Sequence, residues 1–341
     1  MAVEHIDTQA AHGSAAVLSV TDLSIGLAGG RGRSLVEEVA FSVAPRQTLA
    51  IIGESGSCKT LSGLAILGLL PPNLEVRSGR IEFQGRDVLD VHDGRKIHGR
   101  GGIAAVFQDP MNSLNPTMRV GDQIGESRRL HLGESASQAR ASAIELLERV
   151  GLDHPEARAR QYPFELSGGM QQRVMIAAAL ASEPALIIAD EPTTALDVTV
   201  QAEILSLLLM LQERDGLAVV LITHDLGVVA AASDTVAVMH AGHVVETGTV
   251  SEVLHAPVHP YTNALIGAMP TPDAWRQRLT TIPKRVPLPG EFGEGCRFRT
   301  RCPYRVEAEC DVYVPMQTWD GRYVRCARLE AVSVEIGRSR Q

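Results

Sequence analysis

The chain has 341 residues, 45% apolar and 21% charged, and a formal net charge of -8, which suits about two domains and a sizeable core built without disulfides. The acidic balance argues against a general nucleic-acid surface, which would show as a basic stripe, so an anionic substrate has to be held by local donors. The first sixteen residues carry no Lys or Arg and no stretch reaches the roughly 18 consecutive apolar residues of a membrane span; the expectation is a chain neither exported nor membrane-spanning.

Residues 1–16 read as a disordered lead-in. Val17 to Leu27 and Leu35 to Val43 alternate apolar and polar side chains and predict a strand hairpin that shields the base-binding side of a nucleotide loop. That loop follows. A short apolar strand, Leu49 to Ile52, runs into Gly53-Glu54-Ser55-Gly56-Ser57-Cys58-Lys59-Thr60, which opens a helical segment, Leu61 to Leu70. This is the layout of a phosphate-binding loop: backbone N–H groups and a helix N-terminus face the phosphates, Lys59 reaches the β and γ oxygens, and the Thr60 hydroxyl holds Mg²⁺. One residue departs from the strict pattern, which has Gly where this chain has Cys58. Beside Lys59 at a helix N-terminus, its thiol pKa is expected to fall.

Ser78 to Gly85 and Gly101 to Phe107 predict two further strands, and Gln108 after the second is placed to touch Mg²⁺ and an attacking water. From Asp109 to about Asp122 turn residues dominate, which predicts a surface loop. Ser135 to Val150 has one-sided apolar spacing (Ala139, Ala143, Ile144, Leu147, Val150) and predicts an amphipathic helix; Gly168 to Ser182 predicts another. Helices lodged between strands imply an inserted helical subdomain over about 109–182.

Ala185 to Ala189 and Leu217 to Ile222 are continuous apolar runs flanking a predicted helix, Val198 to Gln212, which indicates a parallel sheet buried on both faces. The first run ends in Asp190-Glu191. An Asp there can hold Mg²⁺ through water and the Glu can polarise an attacking water. His224 follows the second run, where open α/β sheets place their ligands. Thr235 to Glu246 predicts a hairpin turning at Ala241-Gly242, after which the sheet is expected to end. Residues 256–289 are proline-rich and read as a linker or wrapped arm, and 290–341 as a small cysteine-rich extension. There Cys296, Cys302, Cys310 and Cys326 are separated by five, seven and fifteen residues. Four thiolates suit zinc or an iron–sulfur cluster, and the lack of a Cys-x-x-Cys pair disfavours common zinc ribbons.

Behind the phosphate loop, Leu166-Ser-Gly-Gly-Met-Gln-Gln-Arg-Val, Ala189-Asp-Glu-Pro-Thr-Thr-Ala-Leu-Asp and Thr223-His-Asp stand in the order and spacing that resemble the ATP-binding subunit of an ABC transporter. Phe107-Gln-Asp-Pro-Met-Asn-Ser-Leu-Asn-Pro, Val258-His-Pro-Tyr-Thr and the cysteine tail are similar to the dipeptide and oligopeptide importer family. The resemblance implies an α/β fold, a RecA-like P-loop ATPase core over 17–255 with an antiparallel β subdomain and an inserted helical subdomain. It implies ATP and Mg²⁺ as ligands, with Glu191, His224, Gln108 and Lys59 catalytic. In such subunits Ser167, Gly168 and Gly169 form an anion site for the ATP of an opposite subunit, often a different chain, with Asp197 at the interface. Two membrane-spanning permease subunits are the further partners, with an extracytoplasmic solute-binding protein acting indirectly, and the chain would sit at the cytoplasmic face of the membrane. The cysteine tail implies a [4Fe-4S] cluster, zinc being the alternative, with Arg297, Arg299, Arg301 and Arg305 expected to offset its charge. Leu27 stands where such proteins carry an aromatic residue that stacks on adenine. With Cys58 it points to a slow or low-affinity but hydrolytic site; the alternative is a nucleotide-binding regulatory subunit with little turnover.

Overall fold

The computed structural model describes residues 16–30, 32–89, 97–194, 196–269 and 281–339. The expected lead-in, save its last residue, and 270–280 of the expected linker lie outside them. The chain opens with β1 (Leu18–Leu27), β2 (Val36–Val43), β3 (Thr48–Ile52), α1 (Lys59–Ile66), β4 (Leu74–Phe83), β5 (Arg86–Asp87) and β6 (Ile103–Val106). Alternation in β1 and β2 buries Leu18, Val20, Val36 and Val39 on one face, and the four antiparallel strands run in the order β2-β1-β4-β5.

Five helices follow before the next strand: α2 (Pro110–Ser113), α3 (Val120–Leu132), α4 (Ala136–Arg149), α5 (Pro155–Arg158) and α6 (Gly168–Leu180). The segment read as a loop therefore starts with one helical turn, begun by Asp109, whose carboxylate accepts the Met111 N–H at 2.9 Å. It runs straight into α3, a helix that the periodicity did not reveal. Only Val120 and Ile124 supply its buried large apolar side chains, and Gly121 lets the backbone of residue 159 approach so closely that a Cβ would stand 2.8 Å from the Ala159 carbonyl.

The chain then returns through β7 (Leu186–Asp190), α7 (Val198–Asp215), β8 (Ala218–Thr223), α8 (Leu226–Ala232), β9 (Thr235–His240) and β10 (His243–Thr249). The central strands β9-β3-β8-β7-β6 pair parallel. Period-two alternation sends their side chains to opposite faces. Leu49 and Ile51 of β3 meet the core under the antiparallel sheet, while Ala50 and Ile52 meet Tyr261 and Phe298. Each fully buried aliphatic side chain contributes about 1.5–3 kcal/mol, so these central strands anchor whatever their ends carry.

The sheet does not end at β10. After α9 (Val250–His255), α10 (Pro260–Gly267) and α11 (Glu307–Cys310) comes a hairpin, β11 (Gln317–Trp319) and β12 (Arg322–Val324), followed by α12 (Leu329–Ser339). β12 pairs with β10 in the register Glu246 to Val324 and Thr247 to Tyr323, so the extension prolongs the central sheet to eight strands. Glu246, fully buried, fixes the corner by accepting the Val258 and His259 N–H groups at 2.9 Å each and the Arg322 guanidinium at 3.3 Å.

Candidate functional site

Parallel register carries four strand ends to one edge of the sheet: Ile52 lies opposite Thr223, Asp190 opposite Ile222 and Val106 opposite Ala189. Gly53–Thr60, Gln108, Asp190 and Glu191, and His224 therefore emerge together, although they span about half of the sequence.

The loop leaves β3 at Gly53, whose φ of +153° and whose approach to the Met239 carbonyl, 2.1 Å from where a Cβ would sit, exclude any side chain. Lys59 is buried, 6% exposed, and its Nζ donates to the Gly53 carbonyl at 2.8 Å and the Glu54 carbonyl at 3.1 Å. Burial lowers its pKa, and the charges of Glu191 and Asp190 act against that shift; both carboxylates thus stand within electrostatic reach of Lys59. Cys58 caps α1 in the left-handed region, φ 69° and ψ 22°, with no side-chain hydrogen bond to the helix. Its thiol is pushed up by burial, against the pull of Arg297 and Lys59, which reverses the expected fall: the packing around the loop outweighs the neighbouring charge.

Burial likewise raises the pKa of Asp190, opposed by a hydrogen bond from the Thr60 hydroxyl, and its Oδ1 is buried without a protein partner. An orphaned carboxylate oxygen beside a hydroxyl fits the oxygen-ligand chemistry of Mg²⁺. Glu191 sits at φ 46°, strained for a residue with a Cβ. Its Oε1 lies 3.1 Å from His224 Nδ1, and its Oε2 accepts from Gln108 Nε2 at 3.2 Å and Thr194 Oγ1 at 2.8 Å. Burial pushes Glu191 up, but the hydrogen bonds from Thr194 and His224 and the charges of His224 and Lys59 outweigh it, so its pKa lies below the ordinary glutamate value.

The loop, Gln108, Glu191 and His224 line one cavity of about 1080 Å³. Its remaining wall comes from Leu61 of α1 and from Leu265, Arg285–Pro289 and Phe292; the last three are a contribution that the sequence did not reveal, because a proline-rich segment has no periodicity to follow. Leu27, 53% exposed at the end of β1, lies outside that lining. Ser167 and Gly168 are exposed and Gly169 is half-buried, at the start of α6, where the Ser167 hydroxyl accepts the Met170 N–H at 3.4 Å. Asp197, also exposed, caps α7 by accepting the Val200 N–H at 3.0 Å. No residue of this chain's own cavity comes from either cap.

In the extension all four tail cysteines are free thiols. Burial pushes Cys296 up to about 12, and Cys326, Cys302 and Cys310 each add to the rise; burial pushes Cys302 up to about 11. The thiols thus feel one another, and their donor chemistry suits a soft metal site. As placed they form no cage: among the described residues no group of three or more His, Cys, Asp or Glu stands where it could hold a metal ion. The arginines expected to offset a cluster's charge have other partners. Arg297 pairs with Glu37, Arg299 and Arg305 with Asp311, and Arg301 with Glu54, because a buried guanidinium is stabilised best by a carboxylate it can reach. Among the described residues no helix is long and apolar enough to cross a membrane.

Residues 36–194 match the ABC transporter family and residues 245–310 the oligopeptide/dipeptide transporter C-terminal region. The dipeptide transport ATP-binding protein DppD of Escherichia coli (strain K12) is 46% identical over 294 residues, 85% of this chain and 90% of that protein. The oligopeptide transport ATP-binding protein OppD of Bacillus subtilis (strain 168) is 45% identical over 315 residues, 91% and 88% of the two chains. Among solved structures, cbiO1 of Clostridium perfringens, part of the ABC transporter complex cbiONQ, aligns with a TM-score of 0.61 at 28% identity over 70% of this chain and 91% of its own. The ATP-binding cassette MJ0796, a dimer in a post-hydrolysis state with ADP and Pi, aligns at 0.60 and 27% over 68% and 98%. The chain belongs to the ATP-binding subunits of ABC transporters, in the oligopeptide/dipeptide branch of that family.

Proposed function

We propose that this chain hydrolyses ATP to energise import of peptides or related small solutes, working as one half of a head-to-tail pair of nucleotide-binding subunits whose other member is a different chain. It sits at the cytoplasmic face of the membrane against two permease subunits, which receive solute from an extracytoplasmic binding protein. The observation that carries the catalytic reading is Glu191, gripped by Gln108 and His224 at the mouth of the phosphate-loop cavity.

The roles follow from the geometry. The N–H groups of Gly53–Thr60 and the α1 N-terminus receive the phosphates, and Lys59 Nζ turns from its own loop carbonyls to the β and γ oxygens. Thr60, Asp190 and Gln108 would hold Mg²⁺, which when bound would neutralise the charge developing on the transferred phosphate. Glu191 is ionised at neutral pH and takes up the proton side of an attacking water. His224 and Gln108 fix its two oxygens, so the base is already aimed when ATP arrives. Ser167, Gly168 and Gly169, with Asp197 beside them, are presented outward to complete the opposite subunit's site. ATP closes the pair only by as much as it binds the closed state better than the open one.

Glu191→Gln keeps the hydrogen-bonding shape and removes the base. With the companion subunit present, ATP binding is expected to persist while hydrolysis at this site falls by at least about 10²-fold. A rate unmoved by the change would instead mark a nucleotide-binding subunit without turnover of its own.

For the tail, the reading is that Cys296, Cys302, Cys310 and Cys326 hold a [4Fe-4S] cluster, with zinc as the alternative. Four free thiols within electrostatic reach of one another support it. Anaerobically purified protein is expected to be brown, with iron and sulfide in equal amounts; a colourless preparation with stoichiometric zinc would replace the assignment.

A further inference from the structure

The second residue of the phosphate loop is held from outside the loop. The Glu54 carboxylate takes both arms of the Arg301 guanidinium, Nη1 to Oε2 at 2.6 Å and Nη2 to Oε1 at 2.8 Å. Arg301, its side chain 1% exposed, belongs to the segment between Cys296 and Cys302, and its Nε donates to the Pro283 carbonyl at 2.9 Å. The Glu54 N–H donates to the Tyr261 hydroxyl at 2.9 Å. Tyr261 is fully buried against His240, ring centroids 4.4 Å apart, and Phe298, 5.3 Å apart. Side chain and backbone of Glu54 are thus fixed by groups that follow the parallel core in sequence, and the Glu54 carbonyl is in turn one of the acceptors of Lys59.

Two physical consequences meet here. A bidentate guanidinium–carboxylate pair sets orientation as well as distance, so the position of Arg301 dictates that of Glu54 and the loop around it. A carboxylate in a loop built to bind a triphosphate would also repel its ligand, and Arg301, itself buried, cancels that charge at the cavity wall. We propose that Arg301 is a positioning residue of the ATP site: through it the cysteine-rich extension orients the phosphate loop and neutralises Glu54, and so sets nucleotide affinity. The inference rests on the ATP-site reading above and assigns the extension a task at that site which its cysteines alone do not.

The test measures ATP affinity of the full chain with Mg²⁺, and KM and kcat of the complete transporter. Arg301→Met is expected to raise Kd and KM roughly tenfold or more while kcat stays within about twofold. Adding Glu54→Gln to Arg301→Met removes the exposed charge and is expected to restore most of the lost affinity, an effect that a merely structural arginine would not give. Arg301→Lys keeps the charge without the fork and should fall between. Arg328→Met, which loses a 2.7 Å bond to the Tyr304 carbonyl inside the extension, should lower the melting temperature and leave Kd unchanged. The proposal is overturned if Arg301→Met binds ATP as the native chain does, if the double variant is as weak as Arg301→Met alone, or if Arg328→Met weakens ATP equally. Failure of the native chain to bind ATP at all would sink the site reading itself, a distinct result.

Discussion

Cys58 offers the sharpest test of how the phosphate loop is built. Its φ of 69° lies where a Cβ collides with the following carbonyl, a cost of about 1–2 kcal/mol for an L-residue. The loop holds this angle before any nucleotide arrives, so that cost is charged to folding. What falls on binding is the crowding of the phosphates by the Cβ, since Cys58 also lines the cavity. Cys58→Gly removes both and forfeits backbone entropy worth about 0.5–1 kcal/mol. The net gain in stability is then about 1.5 kcal/mol at most, a rise in melting temperature of at most about 2 °C for a chain of this size. ATP is expected to bind more tightly as well, by up to about tenfold for each 1.4 kcal/mol of crowding relieved. Cys58→Ala is the control, because it removes the thiol and keeps the Cβ; it should leave both quantities near the native values. Scanning calorimetry and titration with ATP under Mg²⁺ measure them. Equal gains from Ala and Gly would place the effect in the sulfur, and no gain from Gly would refute the strain account.

Two further outcomes follow from the same geometry. Leu27→Tyr restores an aromatic face at the end of β1, and a stacked ring worth about 0.5–1.5 kcal/mol should tighten ATP several-fold by titration; unchanged affinity would mean that adenine does not reach β1. Stability should also fall in mild acid. Burial keeps His259 and His243 neutral down to about 3 and about 4, from an ordinary 6.5, and lowers His240 as well. Their contribution is complete above pH 6.5 and is lost as pH falls, because the unfolded chain takes up these protons first, at about 1.4 kcal/mol per pH unit for each imidazole. Glu37, held near 2 by its hydrogen bond to His243 and the charge of Arg297, adds a loss that begins only below about 4.5. Melting temperatures should stay level from pH 7.5 to about pH 6.5 and decline from there to pH 5; a profile level down to pH 5 would show that these imidazoles are not held neutral.

What was legible in the sequence was local or periodic. Gly53 to Thr60 is a continuous strand–loop–helix signal, and Asp190, Glu191 and His224 stand out because each ends an apolar run that only a buried parallel strand explains. Helix α3 was not legible, because Gly121 replaces the bulky side chains that mark a helical face and the helix packs through its backbone instead. Nor was the pairing of Arg301 with Glu54, 247 positions apart, or of Arg297 with Glu37, 260 apart. A charged residue carries no periodicity that names its partner, so the arginines read as a positive field around four cysteines, whereas Arg297 and Arg301 rivet the extension to the nucleotide fold and Arg299 and Arg305 pair with Asp311 inside it. The return of β12 to β10 escaped for a similar reason: three residues, Arg322–Val324, are too few to show alternation.

The account stands or falls on the shared nature of the catalytic site, with phosphates held by one subunit and completed by Ser167 and its glycines from another. Its most direct measurement is the ATPase rate of the complete pair carrying Ser167→Arg in this chain, set beside the ATP affinity of the same variant alone. The account predicts unchanged affinity in the isolated chain, together with loss of hydrolysis at the companion's site and of ATP-driven pairing in sedimentation. Native turnover and native pairing in that variant, or a loss of ATP affinity in the isolated chain, would contradict it.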